Sequence, residues 1–199
     1  MGALEMLASG VNSQYDPAQG PATQPAPGAN PGNPAGADPN DDPCKNPREK
    51  RFRYQPMEAG KRPSGVTALI CPADLKATGS QRDDGAKVHV AGFPVGSNLD
   101  ENDKPIYNRA HILGDRFHGS WRSENLFTGY ARMNTSGMKR CENRMAKAET
   151  GTWVEYSGQL RYKDSDKLIP EGITMTAKTK TGPLFNVYIK NIPEFQVSC

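Results

Sequence analysis

No stretch of the 199-residue chain approaches the roughly 20 consecutive apolar residues that a helix needs to cross a bilayer. Membrane insertion is therefore not expected. The first residues, "MGALEMLASGVNS", also lack the positive flank and long apolar core of a secretory leader, and Glu5 carries the wrong charge for one. This leaves either export by another route or the end of a longer precursor. Cysteine is sparse: Cys44, Cys71, Cys141 and Cys199 stand 27, 70 and 58 positions apart, which excludes a CxxC-type zinc knuckle. An even count allows two disulfides in an oxidising compartment, with three possible pairings, or buried free thiols. Apolar side chains make up only 35% of the chain, while Gly and Pro number 20 and 17, so one large globule is not expected. The net charge of +3 permits an acidic partner without requiring one.

The Pro and Gly are concentrated. Residues 16–43, "DPAQGPATQPAPGANPGNPAGADPNDDP", contain twelve of them and no aromatic, Lys or Arg. Such a segment cannot bury enough apolar surface to offset its ordering entropy, and reads as a disordered linker. Residues 1–15 before it read as a short helix or the remnant of an upstream domain. Residues 44–199 read as the folded domain. Its entrance, "CKNPREKRFRYQPMEAGKR", has seven basic side chains against Glu49 and Glu58, with Phe52 and Tyr54 among them. Basic residues interleaved with aromatics suit a nucleic-acid surface. A solvated domain entrance is the plainer alternative.

Beyond it, "GVTALIC" (65–71), "AKVHVAGF" (86–93), "IYNRAHIL" (106–113) and "ENLFTGY" (124–130) read as strands. In "SGMKRCENRMAKAE" (136–149), Met138, Cys141, Met145 and Ala148 recur on one helical face, with Ser136 as N-cap and Gly151 as stop. Three alternating runs, "TWVEYSGQLRY", "GITMTAKTK" and "PLFNVYIKN", follow with turn-like joints, as in an antiparallel meander. Strands, one helix and strands again argue for an α+β fold.

The chemistry concentrates around His111. A lone strand histidine is usually structural, but Arg109 lies two positions earlier and shares its sheet face. A core face does not accept a guanidinium beside an imidazole, whereas a phosphate-binding face does. Histidine also has the near-neutral pKa wanted of a general base. Downstream, Asn134 precedes the helix and Glu142 lies on it, eight positions apart, so both can reach one side. An amide oxygen and a carboxylate there suit a hard cation such as Mg2+, which takes few protein ligands and keeps its waters. Taken singly, Glu142 reads as a surface acid and Asn134 as a turn residue. His118 is a rival base more suited to substrate contact, and His89 reads as structural.

The set "NRAH", "SENLFTGYARMN" and "GMKRCENRM" resembles the DNA/RNA non-specific endonuclease family, a group of His-Me finger or ββα-metal nucleases, over about residues 62–195. The family motif runs D-R-G-H, then a strand with an Asn, then an N…E-N helix. The resemblance implies an antiparallel sheet with an embedded ββα-metal motif. It implies that His111 is the general base, that Arg109 is the motif arginine and that Asn134 is the metal ligand. It further implies that Glu142 supports the metal's waters and that Asn125 orders the site. Asn108 stands where the family has Asp, Ala110 where it has Gly, and Ala146 where some members carry an Arg that Arg140 or Arg144 would have to replace. The implied activity is hydrolysis of phosphodiester bonds in DNA or RNA with little sequence readout, using Mg2+ or Mn2+. A linker ahead of a nuclease suits the tip of a bacterial toxin, secreted or delivered into target cells and opposed by an immunity protein. The alternatives are a secreted scavenging nuclease, a non-cleaving nucleic-acid-binding module on the same fold, and an adhesion domain held by disulfides.

Overall fold

The computed structural model describes residues 42–77, 80, 88–149 and 151–199. The expectations for residues 1–15 and for the linker up to residue 41 lie outside them. The compact unit is Asp42–Cys199. It opens with a short helix, α1 (Arg48–Arg51), and then forms β1 (Phe52–Tyr54), β2 (Gly65–Ile70), β3 (Tyr107–His111) and β4 (Leu126–Tyr130). The helix α2 (Lys139–Glu149) follows, and β5 (Val154–Arg161), β6 (Gly172–Thr179) and β7 (Gly182–Lys190) complete the chain.

Five strands form one antiparallel sheet in the order β1-β2-β5-β6-β7, and β3 and β4 form a separate antiparallel hairpin. The fold is α+β. In the large sheet, period-two alternation decides which face is covered. Val66, Ala68 and Ile70 on β2, Val154 and Tyr156 on β5, and Ile173, Met175 and Ala177 on β6 turn inward. Thr67, Glu155, Ser157, Thr176 and Lys178 turn toward solvent. Met138, Cys141, Met145 and Ala146 of the helical segment, with Ala110, Ile112, Leu113 and Phe127 of the hairpin region, close over the inner face as one core. The helical face expected at 138, 141 and 145 is the buried one.

Two boundaries differ from expectation. The helix does not start at a Ser136 cap. Helical backbone is already present at residues 131–132, and Met133–Met138 form a π-helical turn in which Lys139 N–H donates to Asn134 O. Ser136 lies inside the turn, and its Oγ donates to Arg132 O at 2.6 Å. Asn134 is thus within the helical run rather than ahead of it. The strand expected at 86–93 is also absent over its described part, residues 88–93, which turn back on themselves with Phe93 N–H donating to Val90 O. Val90 and Ala91 are buried. Their segment is held by side chains instead of a ladder, with Ser123 Oγ donating to His89 O and Thr128 Oγ1 to Ala91 O.

The cysteines pair as Cys44–Cys71 and Cys141–Cys199, and no free cysteine remains. Three arginines of the basic entrance are engaged in structure, while Lys45, Lys50, Arg53 and Lys61 are exposed. Arg48 and Arg51 both bind the buried carboxylate of Asp74. Arg62 pairs with Glu58, donates to the carbonyls of Asp164 and Lys167, and stacks on Tyr162. These three arginines fasten the start of the domain.

Candidate active site

The hairpin, the loop that joins its two strands and the first turns of the helical segment surround a groove of about 720 Å³. His111, Arg109 and Asn108 line it from β3, Asn134 from the π turn, and Glu142 from α2. Residues separated by more than thirty positions thus meet in one place. A π turn adds a residue to the helical repeat and re-aims what it carries, and such turns recur at functional sites.

His111 is the last residue of β3, paired with Leu126. Its ring stands perpendicular to the Trp121 ring, with centroids 4.3 Å apart and planes at 88°. Arg109, on the same strand face, lays its guanidinium over Phe93 at 4.0 Å. Its Nε is buried without a hydrogen-bond partner among the described residues. Glu142 presses against the backbone where β3 has ended: a Cβ built on Gly114 would lie 2.7 Å from Glu142 Oε1. Only glycine allows the carboxylate so close.

Asn125 does not line the groove. It is fully buried beneath it, and its side chain braces the chain that follows His111. Its Oδ1 accepts from Leu113 N–H at 2.9 Å, and its Nδ2 donates to Leu113 O at 3.0 Å and Ser120 O at 2.9 Å. Gly119 completes the bend, because a Cβ there would fall 1.7 Å from Leu113 O. Behind this, Tyr156 of the main sheet donates its hydroxyl to Ile112 O at 2.7 Å.

Several groove residues were not singled out by the sequence. Trp121 Nε1 donates to Asp115 Oδ1 at 2.7 Å, and Lys76 Nζ donates to the same oxygen at 2.7 Å. Burial alone would raise the Asp115 carboxyl. The hydrogen bonds from Lys76 and Trp121, with the charges of Lys76 and His111, outweigh it and hold Asp115 below the usual carboxylate range. Arg116 donates to Asn143 Oδ1 at 2.6 Å, and Lys139 stands at the groove wall beside Thr135. Tyr107 stacks near Tyr130 with centroids 4.5 Å apart, and its hydroxyl is pushed up to about 12 by the hydrogen bond between the two phenols and by burial. The "GDRF" stretch next to the histidine was the available signal for Asp115 and Arg116. Lys76, in a distant segment, had none.

The other expectations sort by position. Ala146 is buried in the core, so an arginine there has no room, and neither Arg140 nor Arg144 lines the groove. Lys139 is the cation the helical segment brings to the groove wall. His118 lies outside the groove lining, in a left-handed turn at φ 60. Burial and the charges of Arg48 and Lys76 lower its pKa. His89 is exposed, and its backbone carbonyl accepts from Ser123 Oγ.

Residues 48–181 match the model of a family described as DNA/RNA non-specific endonuclease. No curated protein matches the sequence. Among solved structures, NucA from Streptococcus agalactiae with magnesium ion bound is similar at a TM-score of 0.60 and 21% identity, over 70% of this chain and 70% of that one. The Sda1 nuclease with bound zinc ion is similar at a TM-score of 0.59 and 16% identity, over 72% and 75%. An extracellular endonuclease is similar at a TM-score of 0.50 and 14% identity, over 71% and 78%. At such identities the likeness is one of fold.

Proposed function

The chain belongs to the DNA/RNA non-specific endonuclease family and is an endonuclease of DNA or RNA, and from that premise we propose that it cuts with His111 as general base. The observation that carries the reading is the convergence of His111, Arg109, Asn134 and Glu142, from separate elements, on one groove. His111 accepts the proton of a water molecule aimed at phosphorus, a task for which imidazole is matched near neutral pH. Arg109 supplies a fixed charge to the phosphate oxygens. Asn125 holds the backbone after His111 and so keeps the imidazole where the phosphate is presented.

The donor set fits a hard divalent cation that retains much of its water. Asn134 and Glu142 offer amide and carboxylate oxygens in the same groove, and no cluster of three or more His, Cys, Asp and Glu side chains occurs among the described residues. Asn134 would hold the ion directly and Glu142 through water. Such an ion supplies Lewis-acid stabilisation of charge on the phosphate and the leaving oxygen. The magnesium and zinc named for the two similar nucleases support a divalent ion here, with Mg2+ or Mn2+ proposed. Lys76, Arg116 and Lys139, with Arg109, line the same groove and favour the phosphate backbone, so little sequence readout is expected.

Digestion of plasmid DNA and of RNA with Mg2+ or Mn2+, wild type beside His111→Ala, tests the assignment. His111→Ala should be slower by about 10²–10⁴-fold. Equal rates would remove His111 as base, and a protein that shifts DNA without producing ends would leave only a binding module.

For the setting we propose export. The two disulfides of the compact unit suit an oxidising compartment, and an extracellular endonuclease shares the fold. An antibacterial toxin with a dedicated inhibitor over His111 is one form of this, and a secreted scavenging nuclease the other. Expression inside a bacterium separates them. A wild type as harmless there as His111→Ala rules out the toxin.

A further inference from the structure

We propose that Trp121 is a positioning residue for His111, and that Asp115, Lys76 and Tyr54 exist at this site to hold the indole in place. The proposal rests on the reading of His111 as the base.

A histidine at the end of a strand, facing an open groove, has several staggered rotamers available. Here one side of the imidazole is occupied. The indole stands perpendicular to it with 4.3 Å between centroids, a favourable edge-to-face geometry for two aromatic rings. An imidazole rotated toward that side would cross the indole. Trp121 is only half-buried and is not part of the apolar core, so core packing does not account for its placement.

What holds the indole is built from distant segments. Its Nε1–H donates to Asp115 Oδ1, and the same oxygen accepts from Lys76 Nζ. Lys76 is tied to the turn a second time, through its backbone N–H to Arg116 O at 2.8 Å. The residue before the indole is pinned on both sides of its peptide. Ser120 N–H donates to the Tyr54 hydroxyl at 2.9 Å, and Ser120 O accepts from Asn125 Nδ2 at 2.9 Å. Asp115, braced by Lys76, therefore holds the indole itself, while Tyr54 and Asn125 hold the backbone of the residue before it. The contact should bias the imidazole toward one rotamer by roughly twofold to tenfold.

The test compares Trp121→Ala and Trp121→Phe in the full chain, alone and in the His111→Ala background. Cleavage is measured as kcat and KM separately, and the His111 ring resonances are read by NMR in the metal-free protein. Trp121→Ala should lower kcat by about twofold to tenfold at unchanged KM, the range of that bias. The His111 resonances should lose their ring-current shift and show rotamer averaging. Trp121→Phe, which keeps an aromatic edge, should recover most of the rate. In the His111→Ala background, Trp121→Ala should cost nothing further, because the pair acts as a unit. If Trp121→Ala does not fold, Asp115→Ala keeps the ring but releases it, and the same averaging of His111 with a smaller loss of kcat is expected.

A wild-type kcat with unchanged His111 resonances would overturn the proposal. So would a Trp121→Ala penalty that persists undiminished without His111. If His111→Ala itself cuts at the wild-type rate, the base assignment has failed first. If His111→Ala is inactive while Trp121→Ala is normal, the base stands and the positioning role falls.

Discussion

Glu149, the last residue of α2, is fully buried, and neither of its carboxylate oxygens has a hydrogen-bond partner among the described residues. Burial pushes its pKa up to about 8 from 4.5, the charge of Asp74 adds to this, and Arg116 and Arg51 oppose it. A group whose folded pKa is raised binds its proton more tightly in the native state. Its stabilising contribution is present below pH 4.5, is eroded above that, and is lost as pH rises through about 8. Moving a carboxyl between these values corresponds to roughly 5 kcal/mol at full ionisation. Glu149→Gln keeps the shape and cannot ionise. Urea unfolding across a pH series, with disulfides intact, should give nearly equal stability for the two proteins near pH 4. The variant's advantage should then grow to several kcal/mol and level off above about pH 9. Curves separated by the same amount at every pH would refute the reasoning, as would a variant that is weaker throughout. Asp74 works in the opposite sense. Burial would raise it, but hydrogen bonds from Arg51, Cys71 N–H and Arg48, with the charge of Arg51, hold it low. Its contribution is present above pH 3.8 and lost as pH falls through its lowered folded value. The wild type should therefore be most stable on the acid side of neutrality.

Opening Cys141–Cys199, which spans 58 positions, should cost about 2–5 kcal/mol of stability in thermal or urea unfolding. The tail it anchors also clamps the turn that carries Asn134, through Ser198 Oγ to Gly137 O and Gln196 N–H to Ser136 Oγ. With Asn134 in the proposed role of ligand, Cys199→Ser should weaken Mg2+ binding in calorimetry while Cys44→Ser does not, and equal affinities would separate the tail from Asn134. Lys139→Ala should reduce the slope of log affinity against log salt for a DNA fragment by about one, since Lys139 lines the groove. Arg48→Ala, whose cation is engaged by Asp74, should instead lower stability and leave the slope unchanged.

The parts legible in the sequence are those governed by short-range periodicity. On β5, Val154 and Tyr156 alternate with Glu155 and Ser157 because one sheet face is wet, and that period is written locally. The apolar face of α2 is equally local. Its beginning is not: Ser136 and Gly137 look like a helix start, yet they sit inside a π turn. Gly137 is there because the turn crosses β7, where a Cβ would meet Ile189 Cγ2 at 2.8 Å. The segment at 88–93 misled for a related reason. Its apolar residues are buried as a strand's would be, but Ser123 and Thr128 satisfy its backbone. In the groove, the positions carried by motif spacing, His111, Asn134 and Glu142, come together. Lys76 and Trp121 could not be read, because their meeting at Asp115 is created by loops with no pattern of their own. Composition also does not disclose that Arg48, Arg51 and Arg62 of the basic entrance are spent on Asp74, Glu58 and backbone carbonyls.

The groove depends on how β3 and β4 are joined to the rest of the molecule. The hairpin shares no ladder with the five-stranded sheet, so backbone pairing does not set its orientation. Apolar packing alone tolerates sliding, whereas a buried polar group has to meet its partner or bear the cost of desolvation. Two buried side chains impose that condition. Tyr156 reaches Ile112 O from β5. Asn191, just beyond β7, accepts from Tyr130 N–H and donates to Thr128 O and Pro170 O. One attachment lies next to His111 and another at the end of β4 that leads into the helical turn of Asn134. A shift of the hairpin would break both sets, so the distance between His111 and Asn134 is held by hydrogen bonds that neither residue makes itself.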